Sequence, residues 1–93
     1  MRTPNVTRTA RMGNEQRVFR FANGYGASVI RGPYTYGGTQ GLWEVAVVRF
    51  DGQDDFDFIL TYETPITSDV EGRLDDAAVD ALLAAIELLP SAP

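Results

Sequence analysis

Leu42–Phe50 reads LWEVAVVRF, and the reading of this stretch decides the fold. Trp43, Val45, Val47, Val48 and Phe50 are β-formers packed into one short run. In an extended chain the side chains alternate, so Leu42, Ala46, Val48 and Phe50 share one face with Glu44, while Trp43, Val45 and Val47 share the other with Arg49. Both faces are mostly apolar, whereas a strand on a one-sided antiparallel sheet alternates cleanly between apolar and polar. This is the pattern of a central strand covered on both sides. One cover is visible in the chain; the second is a loop, the N-terminal segment or another molecule.

The segments on either side supply partners. Arg17–Phe21 alternates, with Phe19 and Phe21 on one face. Asn23-Gly24 then marks a hairpin, because both residues tolerate the positive φ that tight hairpin turns need. Ala27–Arg31 returns as a second strand, and Gly32–Gly41 (GPYTYGGTQG) is a loop. Beyond the central strand, Asp51-Gly52 opens a turn, and Phe56–Glu63 reads as a half-buried strand in which Ile59 alone breaks the alternation. Thr64–Arg73 is a polar connection, and Pro65 ends the strand by removing a ladder donor. Asp75 is a good N-cap, Val79, Leu82, Leu83, Ile86 and Leu89 form an apolar helical stripe, and Pro90 stops the helix. The expected architecture is α+β, a four-stranded, mostly antiparallel sheet with one C-terminal helix packed on it (β-β-β-β-α). Residues 1–16 show neither period and read as a flexible N-terminal arm; residues 17–93 form a single domain. The sheet face opposite the helix is filled by a homodimer partner or by the arm folding back.

Composition narrows the chemistry. The 93 residues contain no His, no Cys and no Lys. That removes the usual neutral-pH base, the thiol nucleophile, the Schiff-base amine and the usual N/S metal ligands. The expectation is a protein that is not an enzyme, with no catalytic residue and no cofactor. No apolar run reaches transmembrane length and no secretory leader is visible, which points away from a membrane and toward the cytoplasm. The net charge of −5 is unevenly spread. Residues 1–50 hold seven Arg against Glu15 and Glu44, a net of +5, and residues 51–93 hold eleven acids against Arg73 alone, a net of −10.

Two constellations stand out. Tyr25, Tyr34 and Tyr36 lie on glycine-rich chain, with Asn23, Arg31 and Gln40 as hydrogen-bonding neighbours; tyrosine on such scaffolding is the composition of a recognition surface, and the alternative is that the tyrosines pack on the sheet edge and the glycines only turn the chain. Asp54, Asp55, Asp57, Glu63, Asp69 and Glu71 form an acidic group suited to a basic partner. The spacing of the acids is not that of a calcium loop, so no metal site is expected. Gly24-Tyr25-Gly26 precedes a strand rather than a helix, which rejects a dinucleotide fingerprint. Read as an RNA-binding strand it has Asn23 where a cation belongs and Ala27 where an aromatic belongs, and the chain is acidic, so nucleic acid is not the expected ligand.

In Asn23–Ile30 (NGYGASVI), Tyr36–Val47 (YGGTQGLWEVAV) and Thr64–Leu74 (TPITSDVEGRL), the chain resembles small phage and prophage proteins of unassigned function. The resemblance spans roughly Phe19–Leu89 and leaves out residues 1–16. It implies a viral origin and carries no catalytic signature. What it implies for function is an accessory binder that inhibits a host protein, such as a component of a bacterial defence system, in the manner of anti-CRISPR proteins. Two alternatives stand beside it: a sponge for a nucleotide signal, built on Asn23–Gly26, Arg31 and the tyrosines, and a minor virion structural or assembly protein.

Overall fold

A computed structural model describes residues 1–66 and 70–93. Among the described residues, β1 (Val6–Thr9), β2 (Glu15–Arg20), β3 (Tyr25–Arg31), β4 (Trp43–Phe50), β5 (Phe58–Leu60) and β6 (Glu71–Leu74) form one antiparallel sheet, followed by α1 (Asp76–Glu87). The class is α+β with a C-terminal helix, as the periodicities predict. The expected four strands become six. β1 lies in the segment read as an arm and pairs with β2, Val6 opposite Val18 and Thr9 opposite Glu15. β6 lies in the stretch read as a polar connection.

Strand order is β1-β2-β3-β4-β5, and β6 also pairs with β4. β4 is therefore central. One of its edges pairs with β3 along Glu44–Arg49. Its other edge is shared: β5 covers Val48–Phe50, and β6 covers Trp43 and Val45 with a bulge between them. Thr61 N–H still reaches Val47 O (3.0 Å), and Glu71 pairs with Val45. The chain thus leaves this edge after Thr61 and rejoins it two β4 residues further along. At the bulge, Arg73 takes a left-handed φ of 58°.

Helix α1 covers the Trp43, Val45 and Val47 face. Val79, Leu83 and Ile86 pack on Phe19, Ala27, Val29 and those three residues. Asp75 is the N-cap, its carboxylate accepting from Ala78 N–H at 2.8 Å. The other end is capped from the hairpin. Phe21 N–H donates to Tyr25 O, and Gly24 sits at φ 87° while Asn23 does not take positive φ. Instead the Asn23 side chain works at a distance: Nδ2 donates to the carbonyls of Ile86 (2.9 Å), Glu87 (3.3 Å) and Leu89 (3.0 Å). Carbonyls at the end of a helix lack the next turn's N–H donors, and Asn23 supplies a side-chain donor there. Ala92 N–H closes the same junction on Asn23 O at 2.8 Å.

The opposite face is covered in part by a loop. Arg20 lies on it and donates to the carbonyls of Gly52 (2.7 Å), Gln53 (3.2 Å) and Asp54 (3.2 Å). Arg8, also on this face, stacks on the Phe56 ring at 3.9 Å. The turn after β4 is thereby folded back over the sheet, and Val18 and Val48 beneath it are fully buried. Of the covers left open by the sequence, the loop is one that the structure supplies.

Candidate functional site

Around Trp43 the chain builds a network that holds two layers together. Two guanidinium groups lie against the indole, Arg31 at 4.1 Å and Arg17 at 4.7 Å from the ring centre. Glu15 accepts from both arginines, at 2.8 Å from Arg17 and 3.1 Å from Arg31. On the helix side, Trp43 Nε1–H donates to Asp76 at 2.8 Å. Partial burial pushes the Glu15 carboxyl up, but the hydrogen bonds and charges of Arg17 and Arg31 outweigh it, and the pKa lies below its ordinary value of 4.5. A depressed folded-state pKa means that the unfolded chain binds more protons, so this contribution is present above the unfolded value and is lost as pH falls through the folded one. We expect Glu15→Gln to cost about 1 kcal/mol at neutral pH. The gap between wild type and variant should close as pH drops below 4.5. Urea denaturation of both proteins at neutral and acidic pH measures this; a gap that stays constant would show that the ion pairs contribute nothing.

This geometry separates the residues predicted from sequence to bind. Arg31 is engaged by Trp43, Glu15 and Gly41 O (3.3 Å). Asn23 is engaged by the helix end. Tyr34 and Tyr36 are the residues of that group that project: they are 74% and 65% exposed. Their loop is internally braced by Thr35, whose hydroxyl donates to Gly32 O at 2.9 Å, and by a 3-10 turn at Gly38–Gln40 that carries the exposed Gln40. The loop is docked on β6, where Arg73 N–H donates to Tyr36 O (3.4 Å) and the Arg73 guanidinium lies 5.7 Å from the Tyr36 ring. Tyr25 is half-buried under the end of the helix.

The acids also divide. Asp55 pairs with Arg20 at 3.7 Å. Asp54 accepts from Phe56 N–H (2.8 Å), and Asp57 accepts from Asp54 N–H (3.1 Å), so these three shape the folded-back turn. Glu63 and Glu71 are exposed at the β5/β6 edge. Asp69 lies outside the described residues. Among the described residues, no three His, Cys, Asp or Glu side chains come together in a way that could hold a metal ion.

A surface that the sequence did not single out lies on the β5 half of that edge. Ile59, Leu60 and Tyr62 are 44%, 47% and 44% exposed. Ile59 through Glu63, with Tyr25 and Arg49, line a cleft of about 590 Å³. The one misfit in the alternation, Ile59 beside Leu60, was the available signal: two adjacent apolar residues put apolar surface on both faces of an edge strand. A second cleft of about 470 Å³ lies at the other side of the sheet, lined by Arg8, Arg11, Asn14, Gln16, Ser28 and Ile30. Buried Gln16 and Ser28 lie in it, Gln16 Nε2 donating to Ser28 Oγ (2.9 Å), and exposed Arg8 donates from Nε to Gln16 Oε1 (2.6 Å).

The basic and acidic halves of the sequence meet in the fold: the turn after β4 lies over Arg8 and Arg20 of β1 and β2, and Asp55 pairs with Arg20. In sequence, residues 51–72 hold seven acids and no cation. Among the described residues, no helix is long and apolar enough to cross a membrane. No family model matches the chain, and no curated protein or solved structure matches it either.

Proposed function

We propose that this chain is a phage-encoded accessory protein that works without catalysis: it binds a host protein, a component of a bacterial defence system such as a CRISPR effector complex, and inhibits it in the host cytoplasm. The observation that carries the reading is the β5 edge, where exposed Ile59, Leu60 and Tyr62 are flanked in sequence by the exposed acids Asp57 and Glu63. Apolar and aromatic groups supply contact area, and the acids select a basic partner and steer its approach. A nucleic-acid channel lined with arginine is such a partner. The nucleotide-sponge alternative leans on Asn23 and Arg31, and both side chains already have internal partners.

The test is phage plating. In a host whose CRISPR system restricts a targeted phage, expression of the chain should raise plating by about two orders of magnitude or more. Reversing charge at the edge with Glu63→Lys and Glu71→Lys should remove most of that gain with the melting temperature unchanged. Inhibition of the purified complex should weaken as salt rises, because exposed charges are screened. Plating that stays low across hosts with different defence systems, or inhibition indifferent to salt and charge reversal, would contradict the proposal.

A further inference from the structure

The β5 edge shows how such a partner would be held. Antiparallel pairing alternates residues that bond across the ladder with residues whose backbone groups point away. Asp51 N–H bonds to Asp57 O and Thr61 N–H to Val47 O, which places Ile59 opposite Arg49 in the bonded set. The N–H and C=O groups of Phe58, Leu60 and Tyr62 therefore point outward. Among the described residues none of them has a hydrogen-bond partner. Exposed edges are normally kept very short or blunted by charged side chains, proline or bulges. The opposite edge carries Arg8 in β1 (VTRT), whereas β5, which is three residues long, has no charge, proline or bulge within Phe58–Tyr62. The cleft of about 590 Å³ runs beside the same residues.

We infer that β5 accepts an added strand from the partner protein, an extended apolar segment flanked by arginine or lysine. This rests on the protein-binding reading above and specifies its geometry. Strand addition uses backbone hydrogen bonds for affinity and alternate side chains for specificity. Here one set would enter the cleft beside Ile59, Tyr25 and Arg49, and the other would lie on Leu60 and Tyr62. Charge decides against a second copy of this chain. Self-pairing centred on Leu60 sets Asp57 opposite Glu63 at both ends, within segments that hold seven acids and no cation each. Like charges directly opposed across strands are destabilising, and opposite ones stabilising. A basic-flanked strand turns both ends into favourable pairs.

The test uses two synthetic peptides, Arg-Thr-Val-Thr-Val-Thr-Arg and its counterpart with Glu at both ends, titrated to millimolar concentration into the isotope-labelled chain and followed by amide NMR. The arginine peptide should shift and slow the exchange of the Leu60 and Tyr62 amides, and the glutamate peptide should bind about tenfold more weakly. Leu60→Pro removes an outward N–H and spares the bonds to β4, so it should fold and lose the peptide. Should that variant not fold, Glu63→Arg should reverse much of the preference between the peptides. The inference is overturned if neither peptide binds, if binding leaves the two amides unprotected, or if the dilute chain is a dimer that Leu60→Pro disperses. No host protein enters this experiment. Peptide binding without rescue of plating would sink the inhibitor proposal alone, and rescue without peptide binding would sink only strand addition.

Discussion

Replacing Trp43 by Ala is expected to cost about 3–5 kcal/mol, the largest effect of any single substitution considered. A domain of this size has a total stability of about 5–10 kcal/mol, so the variant should be largely unfolded at moderate temperature. The ring is 1% exposed, and four groups depend on it. Arg17 and Arg31 lose the ring they contact, Asp76 loses its indole donor, and Glu15 is left to organise two guanidinium groups without that ring. Trp43→Phe keeps an aromatic face and loses the donor and part of the volume, and should cost about 1–2 kcal/mol. Guanidinium denaturation followed by circular dichroism measures both, since the substitution removes the chain's one tryptophan. A loss under 1 kcal/mol for Trp43→Ala would mean that the helix and the sheet are joined elsewhere.

The second large effect is expected at Gly26, where Ala should cost about 3 kcal/mol. A Cβ there would stand 1.9 Å from Phe19 O and 2.7 Å from Phe50 Cε2. The first of these is backbone, so relief requires β2 to move away from β3, and with it Arg20, which pairs with Gly26 and anchors the folded-back turn. Gly13 is the control. Its Cβ would meet nothing within 4 Å, but its φ is 76°, so Gly13→Ala carries only the conformational cost of about 1 kcal/mol. The two variants side by side in thermal and chemical denaturation separate steric from conformational cost. Equal losses would contradict the close approach of β2 to position 26.

The elements that were legible share one property: their periodicity is local. β4 announces itself by apolar residues on both faces, and α1 by its stripe and the Asp75 cap. β1 does not, because Val6 is the one apolar residue among VTRT and the strand is held on one side only. β6 is interrupted by Gly72 and by Arg73 at φ 58°, which leaves no alternation to read. Side-chain roles were harder still. Asn23 was legible as a turn residue, but its Nδ2 bonds lie 63 to 66 residues away. Arg31 looked like a free donor until the fold placed Trp43 and Glu15 against it. The tyrosine loop was legible as a loop, but composition did not decide between rings that project and rings that pack on the sheet edge, and its docking on β6 needs a strand that the sequence does not announce. The apolar β5 edge was written in Ile59-Leu60 and becomes meaningful once β5 is known to be an edge.

Amide hydrogen exchange along β5 in the dilute, free chain shows whether this edge is open. An open edge that faces outward through alternate residues predicts slow exchange at Ile59 and Thr61, which bond to β4, and fast exchange at Leu60 and Tyr62 between them. Uniformly slow exchange across the four would show that the edge is already covered, and uniformly fast exchange would show that β5 is not paired to β4; either result would rule out an open, alternately bonded edge.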